Sequence, residues 1–507
     1  MTLGRRQFVH LAAIAAASAG CSRQDRAPAF TTDPFTLGVA SGDPSPDGFV
    51  LWTRLAPDPL NGGGIDGDVG VRWEIASDDA FRQVVRSGTA TASAELAHSV
   101  HVEVAGLEAD RWYWYRFSAG DAVSATGRAR TMPTPEAMPD RLSLAFASCQ
   151  HYETGFYTAY EHMAAEHPDL VFHLGDYIYE GAARPRVRAH RGEELASLED
   201  YRNRYALYRT DPDLQLAHAA CPWIVTWDDH EVDNNYAADI SEQPDVRREA
   251  FLERRAAAYQ AYYEHMPLRA SQIPSGPSMR LYRKLSYGRL AQFTVLDTRQ
   301  YRTDQPCGDR TQPPCEAASD PAATLLGDGQ RRWLFDALRE SSAEWNVIPQ
   351  QVMMAQVDRM PGDDVRYSMD QWPGYAASRD RLLGFLAESR VRNPVVLTGD
   401  IHTNWVNDLL VDFGDPASPV VATEFVGTSI SSSGDGGPNT EYAEGVMRDN
   451  PFVKLQNAQR GYVSCEVTRG LWTARYRVLD RVSVRGAARQ TLAEFAVEAG
   501  RPGAQRV

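Results

Sequence analysis

The rhythm of apolar and polar positions changes near residue 140. Before it, Val71–Ala76 and Ser99–Val104 alternate with period two, the signature of half-buried strands. Arg111–Phe117 alternates as well, so Trp112, Trp114 and Arg116 share one face and Tyr113, Tyr115 and Phe117 the other. Gly106-Leu107 and Gly120-Asp121 bracket that strand with turn signals. Short strands and turns over residues 35–133 predict a small all-β sandwich, and no catalytic residue types cluster within it. Its expected role is packing or shielding. Thr131-Met132-Pro133-Thr134-Pro135 reads as the linker that follows.

After Asp140, continuous apolar runs replace the alternation. Leu142–Ala147, Leu170–Leu174, Trp223–Trp227, Leu290–Leu296, Trp345–Pro349 and Pro394–Thr398 are predicted as buried strands. Helical stretches at 156–166, 247–265 and 329–342 lie between them. Alternating strands and helices predict an α/β catalytic body over residues 140–490. The alternating segments 460–467 and 471–479 are expected to pair antiparallel, and residues 491–507 to form a C-terminal tail.

Composition narrows the function. The chain has 507 residues, 52 Lys+Arg against 67 Asp+Glu, and a formal net charge of −15. That balance argues against a nucleic-acid-binding surface, which needs a basic patch to neutralise phosphates. Six cysteines in this length are too few for a disulfide-built scaffold. Within residues 1–30, Arg5-Arg6 precedes a short Ala-rich apolar run, the pattern of a twin-arginine export signal and linker. Ser18-Ala19-Gly20-Cys21 is similar to a lipoprotein cleavage box, with Ser18 where Leu is usual, so membrane contact is expected only if Cys21 is lipidated. No segment reaches the roughly 20 apolar residues of a spanning helix. The expected location is periplasmic or extracellular.

The strand ends carry the chemistry. The first strand runs into Ser148-Cys149-Gln150-His151, the second into Gly175-Asp176-Tyr177-Ile178-Tyr179-Glu180. The third runs into Asp228-Asp229-His230-Glu231 with Asn234-Asn235 following, and the last into Gly399-Asp400-Ile401-His402. A lone Asp at a strand end is ordinarily a helix cap. Four such ends delivering Cys, Asp, Tyr, Asn and His to one edge of a sheet instead point to a ligand site. Carboxylates and amide oxygens suit hard divalent ions, whereas thiolate and imidazole prefer a transition metal. The phenolate of Tyr179 favours Fe³⁺, and Asp176 can bridge two ions. Two adjacent cations clamp a phosphoryl group and lower the pKa of a bound water.

Gly-Asp176-Tyr-Ile-Tyr179-Glu, Trp-Asp228-Asp229-His230-Glu231 and Gly-Asp400-Ile-His402 together resemble the PhoD-like alkaline phosphatases, a branch of the calcineurin-like metallophosphoesterases. Ala-Ser-Cys149-Gln, the helix from Glu253-Arg254-Arg255 to His265-Met266-Pro267, and the order of leader, fibronectin- or immunoglobulin-like sandwich and catalytic domain fit the same family. The resemblance implies a four-layer αββα body, an Fe³⁺ and one or two Ca²⁺, other divalent ions being able to fill the hard site. It implies that Cys149, Asp176, Tyr179 and His402 hold the iron, and that Asp176 bridges to a divalent ion held also by Asp229, Asn234 and Asp400, with Asn235 as the alternative to Asn234.

His230 is read as the group that reaches the phosphate or protonates the leaving alkoxide, or else as one that orients a carboxylate. Arg255 is the candidate phosphate clamp, since a guanidinium fork matches phosphate oxygens. Tyr259, Tyr262 and Tyr263 on the same helix read as core, and Asp297-Thr298-Arg299 as support behind the ligands. Cys307 and Cys315 are expected to form a disulfide after export, and Cys221 and Cys465 to be core. The expected function is an exported hydrolase of phosphoric esters, an alkaline phosphatase or phosphodiesterase using metal-activated hydroxide. The alternatives are a phosphodiesterase acting on phospholipid headgroups or teichoic-acid-like polymers, and a non-catalytic metal- or carbohydrate-binding surface protein.

Overall fold

A computed structural model describes residues 30–415 and 417–507. The Arg5-Arg6 leader and Cys21 lie outside the described residues.

The apolar runs beyond residue 140 become the parallel centres of two sheets. In the first, Arg141–Ala147, Leu170–Leu174 and Pro222–Thr226 run parallel. In the second, Ala291–Val295, Trp345–Pro349, Pro394–Thr398 and Val420–Val426 do so. The sheets pack face to face. Leu144, Phe146, Phe172 and Ile224 of the first share one core with Phe293, Val347, Leu397 and Phe425 of the second. Such strands are apolar on both sides because helices cover their outer faces. Thr158–Ala165, Leu198–Arg209, Pro212–Ala220 and Arg248–His265 cover the first sheet. Gly327–Arg339, Ala376–Glu388 and Thr440–Asp449 cover the second. The body is therefore an α/β fold in four layers, αββα. Tyr259, Tyr262 and Tyr263 are core as read, with Tyr259 stacked on Trp227 at 4.1 Å.

Residues 491–507 are not a tail. Arg489–Glu498 and Arg501–Arg506 form an antiparallel hairpin that extends the first sheet beyond Leu471–Leu479. Ala493, Phe495 and Val497 turn inward, and the buried Ala496 between them blurs the alternation. The antiparallel pairing of Gly461–Thr468 with Leu471–Leu479 is as expected, and Gly461–Thr468 lies on the edge of Arg141–Ala147.

The N-terminal segment is a sandwich that shares a sheet with the catalytic body. One of its layers is built from Val69–Ala76, Val84–Ala92, Trp112–Ala119 and Gly127–Arg130, with Ala122–Val123 at the end. The facing layer, Val39–Ser45, Gly48–Arg54 and Ser99–Val104, continues the ten-stranded catalytic sheet, because Val39–Ser45 pairs parallel with Pro222–Thr226. Tyr113, Tyr115 and Phe117 point into the sandwich core beside Phe49, Leu51 and Val102, which is the face predicted from the alternation. The separate unit expected over 35–133 is thus fused to the body through a strand edge that would otherwise present unpaired backbone groups.

Trp52 strengthens that junction. It is fully buried, donates Nε1–H to the Glu264 carbonyl at 3.0 Å, and carries the Arg209 guanidinium 3.8 Å above its ring. Arg54 Nη1 lies 2.8 Å from His265 Nε2 on the same helix. Trp52→Ala is expected to lower the unfolding free energy of the whole chain by about 3–5 kcal/mol. Urea unfolding with fluorescence and far-UV circular dichroism checks this. A sandwich that melts in a separate step while the body stays unaffected would contradict the shared sheet.

Candidate metal centre

The four strand-end segments meet where the carboxyl edges of the two sheets converge. Ser148 of the first sheet bridges to Ser429 of the second, and Ile430 N–H donates to the Ser148 carbonyl at 3.0 Å. Two glycines permit the approach. A Cβ on Gly175, at φ +109°, would sit 2.5 Å from the Asp228 backbone nitrogen, and one on Gly399 would sit 2.7 Å from Ser148 Oγ. The residues beyond the strands turn through the left-handed region. Cys149 has φ 60°, Asp176 57°, Asp400 63° and His402 59°. Non-glycine residues pay of order 1–3 kcal/mol for such conformations, which persist where the surroundings over-determine them.

Cys149, Asp176 and His402 bring one thiol, one carboxylate and one imidazole atom all within 4.8 Å of one another. Asp176, Asp229 and His230 form a second group with the same spacing, so Asp176 belongs to both. Tyr179 completes the first group. Its Oη donates to Asp176 Oδ2 at 2.8 Å and lies 3.1 Å from His402 Nε2 and 2.7 Å from Ser432 Oγ. His402 Nδ1 is 2.9 Å from Ser433 Oγ, which leaves Nε2 toward the cluster. Asp176 Oδ1 and Asp229 Oδ1 are buried with no hydrogen-bond partner, and Cys149 is fully buried.

The electrostatics describe a site crowded with negative groups. Burial, and then the charges of Asp176 and Asp400, push the Cys149 thiol well above its ordinary range. Burial, Asp176 and Cys149 do the same to the Tyr179 phenol. Burial, with Asp370 adding to it against Arg299, raises Asp400 to about 7. Burial and Asp176 raise Glu231 to about 8. A bound cation reverses this logic, because it stabilises the anionic form of each group that it touches. Orphaned oxygens, a buried thiol and a shared carboxylate suit two adjacent cations, one with N, S and phenolate donors and one with carboxylate donors.

The structure separates the remaining sequence-predicted residues. His230 Nδ1 is 2.7 Å from Glu180 Oε2, and its ring packs 4.2 Å from that of Tyr179. Burial opposes charge on this imidazole, but Glu180, Asp176 and Asp229 outweigh it and raise His230 well above its usual pKa. Asp400 Oδ2 accepts from Gln371 Nε2 at 2.6 Å. Asn234 is tied by its backbone N–H to Glu180 Oε1 at 2.9 Å. Asn235 donates its backbone N–H to Asp229 Oδ2 at 2.7 Å, while its amide Nδ2 reaches Asp309 Oδ2 at 3.1 Å. Among the described residues, no hydrogen bond joins either amide to the two groups.

Arg255 is not brought to the cluster. Its Nη1 donates to the Ala238 carbonyl and its guanidinium lies 5.5 Å over the Tyr259 ring, because its stretch of helix packs inward rather than facing solvent. The cation beside the carboxylates is Arg299. It is fully buried, bonds Asp228 Oδ1 through Nε, grips Asp370 at 2.7 and 2.8 Å, and lies 3.7 Å from Asp229 Oδ1. The support expected from Asp297-Thr298-Arg299 is thus concentrated in its arginine.

Several supporting residues were not singled out from the sequence. Glu231 accepts the backbone N–H groups of Asp176, Tyr177 and Asp228 at 3.1, 2.5 and 2.8 Å, tying two ligand loops together. Glu180 and Glu231 both stood inside the motifs, so a signal existed. Ser432, Gln371 and Asp370 carried none, since each lies far along the chain from what it touches. Cys307 and Cys315 are joined in a disulfide, as expected, and Cys221 and Cys465 are buried. The loop between the paired cysteines contributes Asp309, which holds Asn235.

Known proteins resemble the chain over almost its whole length. Residues 144–476 match the PhoD-like phosphatase family, and residues 20–133 match the N-terminal domain of PhoD-like phosphatases. Alkaline phosphatase D of Bacillus subtilis (strain 168) is 50% identical over 522 aligned residues, covering 100% of this chain and 89% of that protein. A solved structure titled "Structure of PhoD" superposes with a TM-score of 0.92 at 51% identity, over 95% of this chain and 93% of the other.

The Glu231 contacts generate a stability prediction. Glu231→Ala strips three backbone donors of their acceptor. At about 1–3 kcal/mol for each buried donor left unpaired, offset in part by the gain from removing a buried carboxylate, a net loss of about 2–4 kcal/mol is expected. Denaturant unfolding of the variant measures it. An unchanged midpoint would mean that Glu231 does not hold the two loops.

Proposed function

The chain belongs to the PhoD-like phosphatase family and is a phosphoric ester hydrolase of that type, and on that premise we propose which of its groups hold cations and which move a proton. Cys149, Asp176, Tyr179 and His402 would hold an Fe³⁺, and Asp176 and Asp229, with Asp400 nearby, would hold a Ca²⁺. The observation that carries this reading is the sharing of Asp176 between two ligand groups of different chemical character. When bound, adjacent cations of this kind draw charge from a phosphoryl group and lower the pKa of a water, supplying a nucleophile near neutral pH.

The chain's own residues do the rest. Glu180 takes the Nδ1 side of His230, which leaves Nε2 as the free nitrogen of a ring grouped with Asp176 and Asp229. Tyr179 backs the ring. So placed, Nε2 donates a proton to the departing alkoxide oxygen. Glu180 in turn is anchored by the Asn234 N–H, so the dyad is fixed to the same loop as Asp229. His151 and His190 wall the Tyr179 side, their rings 5.1 Å apart. Burial, followed by nearby positive groups, lowers their pKa values to about 3 and about 2, which keeps both neutral.

The Arg5-Arg6 leader supports export by the twin-arginine route, and a Cys307–Cys315 disulfide fits an oxidising compartment. No described helix is long and apolar enough to cross a membrane. Attachment to one rests on lipidation of Cys21.

Exhaustive chelation is expected to abolish hydrolysis of p-nitrophenyl phosphate, and iron with calcium to restore it. The purified protein should show a visible phenolate-to-iron absorption that Tyr179→Phe removes. An active, iron-free and colourless enzyme would overturn the roles given to Cys149 and Tyr179. Glu180→Gln should lower kcat by about 100-fold with little change in metal content, since it acts through His230. Elemental analysis beside steady-state kinetics separates that outcome from metal loss.

A further inference from the structure

Among the described residues, Cys307 and Cys315 are the sulfurs that a soluble oxidant or reductant can reach. They are joined in a disulfide, with Cys307 exposed and Cys315 half-buried, whereas Cys149, Cys221 and Cys465 are buried.

The loop that this bond closes has little else to hold it. From Thr303 to Ala317 no side chain is buried. Its backbone is tied down by the short pairing of Thr311–Gln312 with Tyr367–Ser368, and by the Met369 N–H, which donates to the Arg310 carbonyl at 3.1 Å. A segment without buried apolar contacts opens easily, and a cross-link across it restricts the open states.

The segment nevertheless reaches inward at two points, and both end on Asn235. Asp309, inside the closed loop, accepts from Asn235 Nδ2 at 3.1 Å. Gln305, just before Cys307, donates through Nε2 to the Asn235 carbonyl at 2.6 Å and to Asp370 Oδ1 at 2.8 Å. Asn235 stands in the left-handed region at φ 50° and gives its backbone N–H to Asp229 Oδ2 at 2.7 Å. The other oxygen of that carboxylate, Oδ1, is the one left without a partner. Hydrogen bonds therefore run from the disulfide loop through Asn235 to a carboxylate of the second ligand group.

We propose that Asp309 is a positioning residue for the divalent cation, and that the Cys307–Cys315 bond makes its grip depend on the redox state of the surroundings. The bond forms by exchange with a disulfide oxidant. One sulfur–sulfur bond forms and one breaks, and the oxidant leaves as two thiols that carry off the two electrons and two protons. With the loop closed, Asp309 holds Asn235 and Asn235 holds Asp229. With the loop open, Asn235 loses its side-chain anchor and Asp229 is oriented less firmly, so the cation is bound more weakly. The enzyme is then weakly loaded in a thiol-reducing compartment and fully assembled in an oxidising one. This inference rests on the divalent position assigned to Asp229 above.

Equilibrium dialysis of the iron-loaded full chain against radioactive calcium tests it, alongside the calcium dependence of p-nitrophenyl phosphate turnover. Variants take the place of a reductant, which would also reduce the iron. Cys307→Ser combined with Cys315→Ser is expected to raise the calcium Kd about tenfold. Asp309→Ala, which keeps the disulfide, should raise it by about the same factor, and Asp309→Asn, whose amide oxygen still accepts, should recover most of the loss. Asp309→Ala added to the cysteine pair should cost nothing further, as expected of groups that act through one another. Unaltered calcium affinity in Asp309→Ala, or losses that multiply in the combined variant, would overturn the proposal. If the cysteine variant fails to fold, the two Asp309 variants decide. Wild-type protein that binds no calcium would overturn the divalent position itself, and this inference with it.

Discussion

Buried negative charge is the constraint around which this molecule is organised. Asp176, Asp228, Asp229 and Glu231 are almost fully shielded from water, and Asp400, Cys149 and Tyr179 crowd the same edge. Isolated buried carboxylates are unstable unless they are paired, hydrogen-bonded or metal-bound. The fold applies the first two remedies and leaves room for the third. Arg299 neutralises Asp228 and Asp370 from behind, and backbone N–H groups saturate Glu231. What stays open is one oxygen each on Asp176, Asp228 and Asp229, near the thiol and the phenol. On the metal-binding reading proposed above, cations would neutralise part of this cluster, and the formal charge of −15 would then overstate the field that a phosphate ester meets.

Holding such a cluster together demands a stiff scaffold. The candidate ligand residues lie two to five positions past buried parallel strands, at the end where the two sheets close on each other. Their left-handed backbone turns are costly, and hydrogen bonds between the loops help to sustain them. Cys149 N–H bonds the Gly175 carbonyl, Gln150 N–H bonds the Asp176 carbonyl, and Ser432 Oγ donates to the Cys149 carbonyl. Each ligand loop is therefore a support for the next, and strain in one is shared by the others.

The same logic reaches the N-terminal segment. Fusing three of its strands onto the catalytic sheet removes a free edge beside Pro222–Thr226, the strand that leads into Asp228 and Asp229. Trp52 and Arg54 then brace the helix Arg248–His265 that packs under that strand. The sandwich is thus part of the rigid support for the metal centre.

Local rules were enough for much of this. Alternation identified a half-buried strand over Arg111–Phe117, apolar runs identified the parallel core, and Gly-Asp steps at strand ends marked Asp176 and Asp400. These features depend only on side-chain periodicity and near neighbours, so the chain itself determined them. Tertiary structure decided the rest. Arg255 and Arg299 look alike in the sequence, yet the Tyr259 face carries one into the helix packing while a strand end carries the other to Asp228. The hairpin at residues 489–506 and the shared sheet at Val39–Ser45 depend on which free edge a strand finds. The roles of Glu231, Ser432 and Asp370 depend on contacts across 54 to 283 residues of chain. Partners at such separations are selected by packing of the completed fold, and no local pattern encodes them.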